Sequence, residues 1–189
     1  MTSTDESTAD FTIERFDDFT VIRPQNWFGT GGHKGSVYMI RRNDDPIWSV
    51  GIDFGDSSHV PFREELYWAS TRTFVIGGGN VAYFFDARSG DLQTTIAVPS
   101  LFGHFALVAI PTASGAAEEV LLVMGWTDVH AIGSQLETRW IARDIAVDGI
   151  VFVAVRDCAV ILSAEMDPPG GWVDVALDVH TGAELWRER

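Results

Sequence analysis

Cysteine and lysine are almost missing from this chain: Cys158 and Lys34 are their sole representatives among 189 residues. A single cysteine excludes an intrachain disulfide framework. Cationic residues are scarce as a class, with 13 Lys and Arg against 27 Asp and Glu, and the formal charge is −14 at pH 7. Such a surface repels phosphate backbones, which argues against nucleic-acid binding and against attachment to anionic membranes. No apolar run reaches the roughly 18 residues of a membrane span. Residues Met1–Asp10 are polar and acidic, with neither a basic nor an apolar region of a secretory signal. They read as a disordered tail on a cytoplasmic protein. Helical periodicity is missing too; only Glu64–Ser70 reads as one short helical turn.

What is abundant points to β structure. Hydrophobic residues make up 46% and aromatics 12%, with seven Trp, a composition suited to pleated, half-buried surfaces. From Phe11 onward, short apolar runs alternate with Gly/Asp/Pro/Ser breaks, the pattern of strands and turns. One interval dominates. Trp140 and Trp186 stand 46 residues apart, and Trp48 stands twice that distance before Trp140, with Thr94 in the missing place. Val37, Tyr83, Val129 and Val175 form a second column at the same interval. Gly125-Trp126-Thr127-Asp128-Val129 returns 46 residues later as Gly171-Trp172-Val173-Asp174-Val175. A fixed period of this length is the signature of propeller blades or a related β-repeat.

The expected fold is therefore all-β: one domain over residues 11–189 with four propeller-like blades of about four antiparallel strands each. The first unit runs from about Phe11 to Asp53, with strands near Phe19–Arg23, Ser36–Arg41 and Ile47–Ile52. The second runs from Glu65 to Pro99, with strands near Leu66–Ala69, Thr73–Ile76, Val81–Asp86 and Leu92–Ala97. The third runs from His104 to Arg143, with strands near Phe105–Ile110, Glu119–Met124, Asp128–Ile132 and Thr138–Ala142. The fourth starts at Asp148, with strands near Ile150–Val155, Ala159–Ala164, Trp172–Asp178 and Ala183–Arg187. Trp48, Trp140 and Trp186 are expected to be buried packing residues on equivalent strands.

Asp86-Ala87-Arg88-Ser89-Gly90 and Asp178-Val179-His180-Thr181-Gly182 occupy equivalent places. In each, Asp accepts hydrogen bonds from the turn backbone and Gly supplies the positive φ of a tight hairpin. Ala176-Leu177-Asp178-Val179-His180-Thr181-Gly182-Ala183-Glu184-Leu185-Trp186 resembles the repeat of quinoprotein-type (PQQ-like) β-propellers. The second unit keeps Asp86, Ser89 and Gly90 but has Thr94 in the Trp place; the first and third keep Trp48 and Trp140 and lose the Asp/Gly turn. The chain is also similar to short bacterial proteins built from such repeats. The resemblance implies blade-like units. It does not carry quinone-dependent dehydrogenase activity, because those enzymes are several-fold longer and exported and match only at the structural repeat.

Motifs that would carry chemistry fail on spacing or context. Gly29-Thr30-Gly31-Gly32-His33-Lys34-Gly35-Ser36 lacks P-loop spacing and leads into a strand, where a phosphate cradle needs a helix N-terminus. Gly77-Gly78-Gly79-Asn80 reads as a turn. His33, His59, His104, His130 and His180 show no zinc pattern. Asp53-Phe54-Gly55-Asp56-Ser57-Ser58-His59 lacks the ligand alternation of a calcium loop. Cys158 opens an apolar strand and reads as a buried structural thiol. The adjacent pairs Glu64-Glu65 and Glu118-Glu119 point to opposite faces of their strands and form no acid/base couple.

No catalytic residue, cofactor or metal is thus expected, and the chain reads as a non-catalytic protein-interaction module. Trp27 and Trp68 fall outside the repeat register and, with His33 and Lys34, are the candidate partner contacts. The partner surface would be basic or neutral, and an immunity-type protein covering a partner's active site is one concrete version. The competing class is an enzyme or small-ligand binder using the channel of a propeller. Three or more polar residues converging on one pocket would favour that class. Two assemblies fit the array: a homodimer of two four-blade halves about a two-fold axis, or a closed monomer. In the monomer, Phe11–Glu14 pairs with the last blade near Ile150–Val155 or Trp186.

Overall fold

The computed structural model describes residues 11–17, 22–30, 35–55, 62–112 and 115–188. These contain sixteen strands and, among the described residues, no helix. Blade 1 holds β1 (Phe11–Phe16), β2 (Asn26–Gly29), β3 (Ser36–Arg42) and β4 (Asp45–Asp53). Blade 2 holds β5 (Arg63–Trp68), β6 (Thr73–Gly78), β7 (Val81–Asp86) and β8 (Leu92–Ala97). Blade 3 holds β9 (Phe102–Pro111), β10 (Ala117–Gly125), β11 (Val129–Ile132) and β12 (Thr138–Ala142). Blade 4 holds β13 (Ile150–Arg156), β14 (Ala159–Asp167), β15 (Gly171–Asp178) and β16 (Glu184–Arg187). Blades 2 to 4 are meanders whose strands pair antiparallel in chain order.

Blade 1 departs from that plan. Its order is β1-β3-β4-β2, and β2 runs parallel to β4 along the outer edge. By the 46-residue interval, β3 and β4 correspond to β7 and β8, so β1 takes the place of β6. The segment expected to close a ring pairs instead inside the first blade, Phe11 opposite Arg42 and Phe16 opposite Val37. The alternating pattern of β1, with Phe11 and Ile13 packing toward the core of Trp48 and Phe74, holds it there. The strand expected at Phe19–Arg23 is not found at residues 22 and 23, and its other residues lie outside those described. Tail residues 1–10 also lie outside them.

The repeat is geometrical as well as chemical. Asp44, Gly90, Leu136 and Gly182 stand 46 residues apart and all have left-handed backbones, with φ of 70°, 75°, 62° and 71°. Each closes the hairpin before the last repeat strand. The Trp column also holds: Trp48, Thr94, Trp140 and Trp186 lie on β4, β8, β12 and β16, opposite Ile40, Phe84, Ala131 and Ala176.

The core is divided into three inter-blade layers. Tyr38, Ile40, Trp48, Phe74 and Phe85 fill the space between blades 1 and 2. Trp68, Phe84, Phe102 and Leu121 fill that between blades 2 and 3. Leu122, Ala131, Trp140, Leu162 and Leu177 fill that between blades 3 and 4. The first strands link the array, β1 packing on β5, β5 on β9 and β9 on β13. Glu64–Ser70 is no helical turn but mostly β5. Tyr67 faces the layer toward blade 1, while Leu66 and Trp68 face the layer toward blade 3. A strand apolar on both faces shows no clean alternation in its sequence.

Candidate functional site: docking tryptophans and an inner pocket

Two tryptophans join blades by one geometry. The indole Nε1–H of Trp48 donates to the carbonyl of Ala87 at 3.0 Å, and that of Trp140 donates to the carbonyl of Val179 at 3.0 Å. Both acceptors lie 39 residues ahead, on the turn of the next blade. Both rings then lie flat against the turn glycine. A Cβ built on Gly90 would sit 2.7 Å from the Trp48 ring, and one on Gly182 would sit 2.5 Å from the Trp140 ring. Glycine is needed there twice over, for the left-handed φ and for the approach of the ring.

The turns that receive the rings are held by their aspartates. Asp86 Oδ1 accepts the amides of Arg88 and Ser89, at 2.9 and 2.8 Å. Asp178 Oδ1 accepts the amides of His180 and Thr181, at 3.0 and 2.8 Å, and the Thr181 hydroxyl at 2.8 Å. Burial pushes the Asp86 carboxyl up, but the Ser89 and Arg88 amides, the Ser89 hydroxyl and the Arg88 charge together bring it below its ordinary value. The Thr181 hydroxyl, followed by the turn amides, does the same for Asp178. A carboxyl lowered in the folded state stabilises fully above its unfolded pKa and loses that contribution as pH falls through the folded one. Denaturation midpoints should therefore drop below the ordinary carboxylate value of 3.8. The Asp86→Asn/Asp178→Asn variant, which keeps acceptors but cannot titrate, should show a shallower drop. An unchanged slope in urea titrations would contradict this.

The pattern fails once inside the array and once at its end. At the blade 2–blade 3 junction both halves of the pair change together: Thr94 replaces the Trp and Leu136 replaces the Gly, with Leu136 packing against the layer between those blades. At the end of the array, Trp186 is 46% exposed, against 4% for Trp48 and 7% for Trp140. The expectation that all three are buried is corrected at Trp186. A docking tryptophan is buried by the following blade, and blade 4 has none packed on its outward face among the described residues. Exposed large apolar side chains gather on this unit, among them Val151, Val153, Trp172, Leu185 and Trp186.

The contact residues expected from sequence fare unevenly. Trp68 is fully buried, and its Nε1–H donates to Glu119 Oε2 at 3.2 Å, so it is a core residue and offers no surface. Its position outside the register reflects its place on a first strand, not on a loop. Trp27 is half-buried on β2, with its ring laid over Gly51, where a Cβ would meet it at 2.5 Å. His33 and Lys34 lie outside the described residues, as do 56–59 of the loop after Asp53. Cys158 is exposed with φ of 62° in the β13–β14 turn, not buried in the strand that follows. The glutamate pairs do point apart. Glu64 accepts the amide of Phe105 while Glu65 accepts from Arg15, and Glu118 binds Arg139 while Glu119 receives Trp68 and Ser70.

Two further arrangements could bear on chemistry. Ser100, Asp128 and His130 form a cluster in which His130 Nε2 lies 2.5 Å from Asp128 Oδ2 and the Ser100 hydroxyl donates to Oδ1 of the same carboxylate. Burial raises the Asp128 carboxyl, and the hydrogen bonds from His130 and Ser100 more than offset that, leaving it lowered. The carboxylate stands between hydroxyl and imidazole, so the histidine takes no proton from the serine and no nucleophile–base pair results. The second is a pocket of about 370 Å³ between the first strands of blades 3 and 4, lined by Phe62, His104, Trp126, Asp148, Glu165 and Trp172, among others. Aromatic walls and carboxylates there suit a small organic cation. No group of three or more His, Cys, Asp or Glu among the described residues is placed to hold a metal. No helix among them is long and apolar enough to cross a membrane.

No family model and no curated protein matches the chain. Among solved structures it is similar to a quinohemoprotein alcohol dehydrogenase from Pseudomonas putida, at 12% identity and a TM-score of 0.46, covering 82% of this chain and 31% of that one. It is also similar to KlHsv2 carrying a Gly-Ser linker in place of loop 6CD, at 8% identity and a TM-score of 0.31, covering 82% of this chain and 60% of that one. The chain thus spans about a third of the dehydrogenase. Its class rests on its own four sheets, an array of propeller-like blades.

Proposed function

We propose that the chain is a non-catalytic protein-interaction module that meets its partner through the outward face of blade 4. The observation that carries this reading is Trp186, which stands exposed in a repeat position that is buried in blades 1 and 3. Trp is among the residues that dominate protein contacts, and half-buried Ala154 and Ile161 continue the apolar row beside Trp186. The charge of −14 favours a basic or neutral partner. An immunity-type protein that covers a partner's active site is one form of this role. A second reading, a small-ligand binder, draws support from His104, Asp148 and Glu165 around the inner pocket.

Affinity capture from the native host separates the two. The native chain should retain one protein in stoichiometric amount, and Trp186→Glu and Ala154→Glu, neither of which lines the inner pocket, should each lose it while keeping the native circular dichroism. Retention of the same proteins by the variants would sink the reading. A bound organic cation with no protein partner would favour the pocket instead.

A further inference from the structure

Blade 4 repeats, on its outward face, the row with which blade 3 holds blade 4. In blade 3 the row crosses the sheet as Ala106, Leu122, Ala131 and Trp140. In blade 4 it crosses as Ala154, Ile161, Ala176 and Trp186. The composition is the same in both, an alanine, a branched aliphatic, an alanine and a tryptophan. In blade 3, Leu122, Ala131 and Trp140 are buried beneath the next blade. In blade 4, Ala176 is buried, Ala154 and Ile161 are half-buried and Trp186 is open.

We propose that this face docks a β-blade of a partner protein, through a hairpin turn with glycine at its left-handed position. The proposal rests on reading the outward face of blade 4 as the interaction surface. The two docked tryptophans define what the partner must offer. One requirement is a free carbonyl three residues before that glycine, as Ala87 precedes Gly90 and Val179 precedes Gly182, to accept the indole Nε1–H. The other is the absence of a Cβ at the glycine, because one would lie within 2.5–2.7 Å of the ring.

The same requirements disfavour a second copy of this chain. Its two glycine turns already hold Trp48 and Trp140. Its first blade, which a head-to-tail copy would present, carries Asp44 at that position. Asp44 has the left-handed φ of 70° but also the Cβ that the ring cannot accommodate. On this proposal the outward face of blade 4 serves a partner's blade and not a two-chain ring of eight blades.

The test extends the full chain by repeating residues 144–189 once after Arg189, which preserves the 46-residue interval and places a glycine turn where the partner's would stand. The tether makes docking intramolecular, so affinity does not limit it. The emission of Trp186 is isolated by difference against Trp186→Phe in the same background. Acrylamide quenching of Trp186 should fall to that of Trp140, and replacing the appended copy of Gly182 by Asp should restore the quenching of the native chain. The proposal is overturned if the appended unit resists proteolysis while Trp186 stays as accessible as before, or if the unit remains protease-sensitive throughout. Light scattering of the native chain should give 20.8 kDa; a dimer that Trp186→Ala dissociates would make a second copy the occupant and overturn it too. Failure here leaves the host capture result standing, and loss of a host partner leaves docking of the appended blade standing, so the two readings fail separately.

Discussion

Trp140→Ala should lower the unfolding free energy by about 3–5 kcal/mol, the range for removing a large buried aromatic. The indole spans the layer between blades 3 and 4, and its loss also strips the Val179 carbonyl of its donor. Trp186→Ala, in the same repeat position, should stay within about 0.5 kcal/mol, as other exposed substitutions do. The contrast excludes intrinsic strand propensity as the cause, since both residues lie on the last strand of a blade opposite an alanine. Urea unfolding of the two variants reads the difference directly. Equal losses would mean that Trp186 is buried in the protein as it exists in solution.

Gly182→Ala should be the second large effect. Two penalties add at this position. A left-handed backbone costs a non-glycine residue about 1–2 kcal/mol, and forcing a methyl group against a packed ring costs about 1–3 kcal/mol more. Gly170→Ala supplies the control, because Gly170 also has positive φ, 96°, but a Cβ there would meet nothing within 4 Å. It should show the backbone penalty alone. The Trp140→Ala background should reduce the Gly182→Ala effect toward that same value, since the ring that opposes the methyl is gone. A double-mutant cycle with no coupling would separate the tryptophan from the turn and break the docking geometry.

Much of the fold is legible because the repeat is written in residues whose roles are local. Asp178 and Gly182 define a turn, and the apolar run before Trp186 defines a strand. One interval then carries both through the chain, so that β7, β8 and β12 coincide with the strands expected at Val81–Asp86, Leu92–Ala97 and Thr138–Ala142. Blade 1 is less legible because its edge is not repeated. β2 pairs parallel to β4 with no counterpart in blades 2 to 4, and β1 stands in a place that the other blades fill from the chain immediately before. First strands hide as well: β5 presents Tyr67 to one core layer and Trp68 to another, a pattern that resembles neither a half-buried strand nor a helix.

The exposure of Trp186 is the least legible feature of all. Trp48, Trp140 and Trp186 look alike in sequence because position in the repeat sets strand and register. Exposure is set by whether another blade follows, and that is a property of the array. Asp44 and Leu136 show the same limit in reverse. Neither residue suggests a glycine position, yet both adopt the left-handed backbone of Gly90 and Gly182 because the hairpin geometry dictates it. The pairing of Thr94 with Leu136 is visible only once the 42-residue offset between Trp48 and Gly90, and between Trp140 and Gly182, is known.

The most direct measurement is a fluorine NMR spectrum of the native chain labelled with 5-fluorotryptophan, its seven resonances assigned by single Trp→Phe variants. Solvent isotope shifts on exchange from water to deuterium oxide report the accessibility of each ring. Trp48, Trp68 and Trp140 should show almost none and Trp186 a large one. A Trp186 resonance as protected as that of Trp140 would contradict the account, because the last docking tryptophan would already have found its blade.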